Sequence, residues 1–437
     1  MGEWKTRQLS ELIEIKHGFA FKGECFCDYP TSDVLITPGN FAIGGGFQLN
    51  KPKFYDGPVP DEYVLASGDV IVTMTDLSKQ ADTLGYSAIV PSGALRFLHN
   101  QRVGKVSVKS DEADLRFIGW LLRTNDYRNT VVGSATGSTV KHTSPSRILE
   151  YTCMLPPRGE QQAIAAVLST LDDKIELHRR MNETLEASAR AFFRDWFVDF
   201  GPTRAKMAGA VPYLSPDLWP LFPATLDAEG KPEGWEWSTI GKEVDAVGGS
   251  TPSTKDDALW NGDIAWTTPK DLSGLNSPVL MRTGRTISEA GLRTISSGLL
   301  PVGTVLMSSR APVGYLAISQ IPLAINQGYI AMRCDGRVSN WHAYLWAKEN
   351  MDAILQNANG STFQEISKSN FRPLPILVAN KTVRNRFDHA IQPMFEQIIS
   401  NEREIHTLAE TRDALLLKLM SGEIRVAQTG SDMRNLL

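Results

Sequence analysis

Apolar residues recur at alternating spacings of four and three along two stretches of this chain, the pattern of a long helix that buries one seam. The first stretch runs Ile164, Leu168, Leu171, Ile175, His178, Asn182, Leu185, Ala189, Phe192, Trp196. The second runs Phe387, Ile391, Met394, Ile398, Asn401, Ile405, Leu408, Arg412, Leu415, Leu419. A shift of 223 residues carries Leu168, Leu171, Ile175, Leu185 and Phe192 onto Ile391, Met394, Ile398, Leu408 and Leu415. Helices of about 40 residues reach roughly 60 Å, more than one small domain requires, so the pair is expected to pack as a coiled coil. An antiparallel register that sets Ile164 against Leu419 also sets Asn182 against Asn401, where two amides can satisfy each other. It is favoured over a parallel register, which faces His178 against Asn401. Pro393 predicts a kink near the start of the second helix.

Upstream of each seam the period shortens. Val34-Leu35-Ile36, Val70-Ile71-Val72, Ser87-Ala88-Ile89-Val90 and Val103 to Val108 read as strands, with one helix near 115–126. The same order returns as Thr304 to Met307, Tyr315 to Ile318, Tyr329 to Met332 and a helix over 341–357. Trp4 matches Trp235, Leu9 Ile240, Gly18 Gly249, Gly68 Gly303, and Asn100-Gln101 Asn326-Gln327. Gly137-Ser138-Thr139 with Ser144, Ser146 and Ile148 returns 223 residues later as Gly360-Ser361-Thr362 with Ser367, Ser369 and Phe371. The expected architecture is α+β. Two recognition domains of mixed α/β type, 1–157 and 236–380, are each followed by a long helix, 158–200 and 381–424, with pseudo-two-fold repetition. The Pro-rich linker 201–235 is expected to lack regular structure, and 425–437 forms a tail.

At 437 residues and 42% hydrophobic content the chain can bury two or more cores. Its apolar runs fall short of the ~18 residues of a membrane span, and Met1-Gly2-Glu3-Trp4-Lys5 lacks a signal-peptide core, so a cytoplasmic location is expected without a membrane partner. Cys25, Cys27, Cys153 and Cys334 are too scattered for a disulfide framework or a metal site. The net charge of −4 argues against a nucleic-acid binder, but its distribution does not. Residues 101–158 hold nine basic side chains against five acidic, and 264–333 hold six against two. Matched basic stretches suit two DNA-facing surfaces.

Catalytic constellations are missing. The chain has no phosphate-binding G-x-x-x-x-G-K-[ST] loop, and its one Pro-Pro, Pro156-Pro157, lies in a connector rather than in an amino-methyltransferase tetrad. Glu14-Ile15-Lys16 imitates part of a nuclease metal site without the preceding Asp. Gly, Ser and Thr beside basic or amide side chains suit phosphates and base edges instead. Candidate DNA-contacting residues are therefore Ser138, Thr139 and Lys141, Ser361, Thr362 and Gln364, and the strand-end Gln101, Arg102 and Gln327.

In order along the chain, Gly18-Phe19-Ala20-Phe21-Lys22, Gly68-Asp69-Val70-Ile71-Val72 with Met74-Thr75-Asp76, Glu160-Gln161, Trp196-Phe197-Val198-Asp199-Phe200, Gly248-Gly249-Ser250-Thr251-Pro252, Trp260-x-Gly262-Asp263-Ile264-x-Trp266, Ser308-Ser309-Arg310-Ala311-Pro312 and Ser421-Gly422-Glu423-Ile424 resemble the specificity subunit of type I restriction-modification systems. The opening loop of the second half departs from the family's Gly-Gly-Thr-Pro by the inserted Ser250. The resemblance implies two target recognition domains, each reading half of a bipartite site in double-stranded DNA, with the spacer set by the coiled coil. It also implies two methyltransferase subunits and restriction subunits as partners. S-adenosylmethionine, ATP and magnesium would belong to those partners, and this chain would hold no cofactor, no metal and no catalytic residue. Lys22, Thr75, Thr251, Lys255, Lys270 and Arg310 join the DNA-contact candidates. A self-contained DNA-modifying enzyme and a two-domain protein-binding adaptor are the alternatives.

Overall fold

The computed structural model describes residues 3–78, 80–138, 140–360 and 364–426. It divides into two compact units: residues up to Asp173 with those from Leu408 onward, and Lys174–Thr407. Each is a mixed α+β body built on two larger sheets.

In the first unit an antiparallel sheet runs Ile13–His17, Val103–Val108, Val70–Thr73, Ser87–Ile89. Val70–Thr73 is apolar without alternation because both faces are covered. Val70 and Val72 pack with Phe117 and Ile118 of the helix Leu115–Leu121, whereas Ile71 packs with Phe41 and with Val34 and Ile36 of the second sheet. That second sheet runs Phe26–Cys27, Lys53–Tyr55, Asp33–Ile36, Arg96–His99, Val64–Leu65, with Asp33–Ile36 and Arg96–His99 parallel.

The second unit repeats this order. Asp245–Val247, Tyr329–Arg333, Val305–Ser309 and Val313–Ser319 form the first sheet, extended by Val279–Leu280. Arg285–Ile287, Trp260–Thr267 and Leu323–Ile325 form the second, and again the last two are parallel. Val305 and Met307 face the helix Asn340–Glu349, and Leu306 faces the other way. In each unit an opening strand closes on the strand before the long helix: Lys5–Gln8 on Thr152–Leu155, and Glu236–Thr239 on Pro375–Val378.

The repeated serines belong to this framework. Ser144 and Ser367 are helix N-caps, accepting from the amides of Arg147 and Asn370, and each hydroxyl meets a second serine, Ser146 at 2.8 Å and Ser369 at 2.7 Å. Ile148 and Phe371 are buried behind them.

Three local expectations change. The helix expected over 115–126 is two, Leu115–Leu121 and Asn125–Gly133. The one expected over 341–357 breaks at Asn350, which leaves helical geometry (φ −101°, ψ 18°) while its Nδ2 donates to the Trp346 carbonyl at 2.9 Å. The Pro-rich stretch contains the helix Gly201–Met207, where Pro202 sits in the first turn and loses no intrahelical bond.

The long helices are Arg158–Phe197 and Lys381–Met420, the second continuous through Pro393. They pack together, and within each unit rising numbers on one meet falling numbers on the other. In the first unit Ile164 and Leu168 share a core with Leu416 and Leu419, and Asp172 takes ion pairs from Arg412 and from the buried Arg123. In the second, His178 meets Glu404 at 3.2 Å and the Asn401 amide donates to Asn182 at 2.8 Å. Leu168, Ile175, Asn182, Ile391, Ile398 and Asn401 are buried, and Leu171, Leu185, Met394 and Leu408 are half-buried. Phe193, Phe197 and Phe395, off the expected seam, lie deeper than Phe192 and Met394. They serve the α/β core as well: Phe193 and Phe197 pack on His342, and Trp341 stacks on Phe395 at 4.5 Å.

Candidate nucleic-acid interface

Equivalent strands end in the same dipeptide in the two units. Arg96–His99 leads into Asn100-Gln101-Arg102, and Leu323–Ile325 into Asn326-Gln327-Gly328. Each asparagine closes the turn with its own side chain. Asn100 Oδ1 accepts from the Arg102 amide and Asn326 Oδ1 from the Gly328 amide, both at 2.9 Å. A neighbouring segment presses on each strand end: the Phe19 amide donates to the His99 carbonyl at 2.8 Å, and the Ser250 amide to the Ile325 carbonyl at 3.1 Å. The approach requires glycine, since a Cβ on Gly18 would lie 2.2 Å from the Asn100 carbonyl oxygen and one on Gly249 1.9 Å from that of Ile325. Gln101 and Gln327 are left exposed at the tips.

A groove adjoins each turn. In the first unit it measures about 170 Å³ and is lined by Phe21, Thr37, Lys53, Asn100, Gln101 and Arg102. In the second it measures about 390 Å³ and is lined by Thr268, Lys270, Ser273, Arg310, Asn326 and Gly328. Thr268 on the wall of the second is held by Tyr329, whose buried hydroxyl donates to the Thr268 carbonyl at 2.6 Å, with its pKa raised chiefly by burial. Lys270 is exposed, and Arg310 is half-buried in an ion pair with Glu365 at 3.7 Å.

The inserted Ser250 has a place in this arrangement. Its carbonyl accepts from the Trp266 indole at 3.3 Å, and the Ser253 carbonyl accepts from the Trp260 indole at 2.9 Å. Thr251 between them donates through Oγ1 to Gln327 Oε1 at 2.6 Å. Lys255, just beyond, is exposed.

The residues that flank the Gly-Ser-Thr segments form matched bridges. Thr136 bridges His142 and Asn359 bridges Glu365, with Gly137 and Gly360 in left-handed geometry (φ 97° and 98°). Each pair docks just past an equivalent strand of its unit, Val70–Thr73 in one case and Val305–Ser309 in the other, through Thr75–His142 and Arg310–Glu365. Thr75 is therefore buried, its hydroxyl 3.2 Å from His142 Nδ1. Ser138 and Gln364 are exposed, and Lys141 is half-buried. Thr139, Ser361 and Thr362 lie outside the described residues. Lys22 is exposed, 3.8 Å from Glu24.

Much of the basic excess is absorbed by the fold. Lys105 pairs with Asp69 at 2.7 Å, Arg123 with Asp172 at 2.7 Å, Arg333 with Asp245, and Arg285 lies over the Trp260 ring at 3.6 Å. Lys53, by contrast, lines the first groove although no linear pattern marks it. It comes from a three-residue strand, Lys53–Tyr55, and lies over the Phe26 ring at 3.8 Å. Among the described residues, no group of three or more His, Cys, Asp or Glu side chains is placed to hold a metal ion, and no helix is long and apolar enough to cross a membrane.

A sequence model described as the type I restriction modification DNA specificity domain matches residues 1–187 and 232–407. The type I restriction enzyme HindI specificity subunit of Haemophilus influenzae is 26% identical over 482 residues, covering 97% of this chain and 100% of that protein. The MjaIX specificity subunit of Methanocaldococcus jannaschii is 34% identical over 181 residues, 41% of this chain and 42% of that protein. Among solved structures, the S subunit of the type I restriction-modification system from M. genitalium aligns with a TM-score of 0.54 at 15% identity, covering 95% of this chain and 96% of that one. At that identity the likeness is one of fold.

Proposed function

This chain belongs to the type I restriction modification DNA specificity family, and from that premise we propose that it is the non-catalytic subunit that reads a bipartite target in double-stranded DNA. Each recognition domain, 1–157 and 236–380, takes one half-site. The long helices act as an antiparallel coiled coil that sets the spacer and offers a platform to two methyltransferase subunits and to restriction subunits. Those partners bring S-adenosylmethionine, ATP and magnesium.

One observation carries the reading. The same Asn-Gln turn stands at the end of the same strand in both units, but its surroundings differ. Arg102 follows Gln101 where Gly328 follows Gln327, and Lys53 and Thr37 line one groove where Lys270 and Arg310 line the other. Shared scaffold with unlike side chains is what reading two different half-sites requires, since phosphate contacts position a protein and base-edge contacts specify the sequence.

Exchange of residues 236–380 for the corresponding segment of another specificity subunit, followed by mapping of methylated adenines in DNA treated with the assembled methyltransferase, tests this. Half of the methylated sequence is expected to change. An unchanged sequence would favour a protein-binding adaptor, and methyl transfer by the purified chain alone would identify an enzyme.

A further inference from the structure

We infer that Gln327 is the adenine-reading side chain of the second unit and that Thr251 is its positioning residue, an inference that rests on the DNA-recognition reading above. An exposed glutamine ordinarily samples many rotamers and loses that freedom on binding. Gln327 has lost part of it already, because Thr251 Oγ1 donates to its Oε1 at 2.6 Å. Thr251 is itself anchored on both sides. The Ser250 amide is tied to the strand end at Ile325, and the carbonyls of Ser250 and Ser253 are held by the indoles of Trp266 and Trp260. Those indoles pack edge to face at 5.0 Å under the Arg285 guanidinium. A connected path of hydrogen bonds and ring contacts thus runs from the sheet to one exposed amide.

The held amide has the chemistry of an adenine reader. Oε1 keeps a second lone pair to accept from the adenine N6 amino group, and Nε2 donates to N7. Guanine presents an acceptor at O6 where adenine presents its donor, so the same orientation disfavours guanine. Lys270, exposed on the groove wall, supplies the phosphate contact, because Arg310 is engaged by Glu365. The first unit is built differently at the decisive position. Ala20 stands where the second unit has Thr251, counting from the matched Gly18 and Gly249, so Gln101 has no hydroxyl from that segment to orient it.

The test uses the full chain assembled with its methyltransferase subunit on a random-sequence DNA library. The half-site governed by the second unit is identified first by exchange of residues 236–380. Gln327→Ala is expected to lower discrimination at one adenine position of that half by about tenfold or more, leaving the other half as it was. Thr251→Val should relax the same position, and Thr251→Ser should restore it. Lys270→Ala should weaken binding to all sequences alike and reduce its salt dependence. Unchanged discrimination in Gln327→Ala, or a change confined to the other half, overturns the assignment. So does a Thr251→Ser variant as relaxed as Thr251→Val while both keep the wild-type unfolding midpoint. If the domain exchange itself leaves the methylated sequence unaltered, the recognition reading has failed rather than the choice of side chain.

Discussion

His99 lies directly before the first Asn-Gln turn, buried, with its Nε2–H donating to the Val103 carbonyl at 2.9 Å. Burial lowers its pKa to about 4, and the positive charges of Lys105 and Lys16 push the same way. An unfolded histidine titrates near 6.5, so between roughly pH 6.5 and 4 the unfolded chain binds a proton that the folded unit refuses. Stability from this group is complete above about pH 6.5 and falls as pH drops through that window, by about 1.4 kcal/mol per pH unit. In His99→Gln the urea midpoint should depend less steeply on pH between 4.5 and 6.5. A slope equal to wild type would show that the His99 proton is not linked to folding. His342 is the comparable group in the second unit, caged by Phe193, Phe197 and Phe387 and lowered to about 3 by burial. Neither environment is legible in the sequence, where both histidines look ordinary. Their burial comes from strands and helices distant along the chain.

On the long helices, Asn182 and Asn401 form a small buried network. Asn401 donates to Asn182, Gln397 donates to Asn401 Oδ1, and Asn182 donates to Glu402, each at 2.8 Å. Removing one amide strands its partner, so Asn401→Leu should cost about 1–3 kcal/mol. Asn401→Asp should cost a similar amount, about 1–3 kcal/mol, by placing a charge beside Glu402 in the seam. In the double variant Asn182→Leu/Asn401→Leu neither orphan remains, and the loss should be smaller than the sum of the singles by about 1 kcal/mol. Strictly additive losses in a urea double-mutant cycle would rule out a shared network. The seam that brings these amides together was legible because it repeats over nearly forty residues, long enough for periodicity to dominate. The inward turn of Phe193, Phe197 and Phe395 was not legible, because it answers to the α/β core beside the helices. The breaks at Asn350 and between Leu121 and Asn125 were hidden for a related reason, since a helix interrupted for one to three residues keeps much of its apolar period.

For the whole molecule, a net charge of −4 is far from what a protein holding DNA alone would carry. Much of the basic excess in the matched stretches is neutralised by Asp69, Asp172 and Asp245 or stacked on tryptophan. The isolated chain should therefore bind DNA weakly, and tight binding that falls steeply with salt should appear only with the methyltransferase subunit. Nanomolar, sequence-specific binding by the purified chain in a salt titration would contradict this. The amino-acid sequence by itself determined the duplication, the long helices with their paired asparagines and the family, because each is written in a repeat or an ordered set of motifs that survives without coordinates. Tertiary structure alone decided which polar residues are spent on the fold and which face outward. Thr75 and the repeated serines brace bridged segments and helix ends, whereas Gln327 is exposed and steadied by Thr251 from 76 residues away. Exposure and orientation depend on contacts between distant segments, and a linear pattern does not carry them.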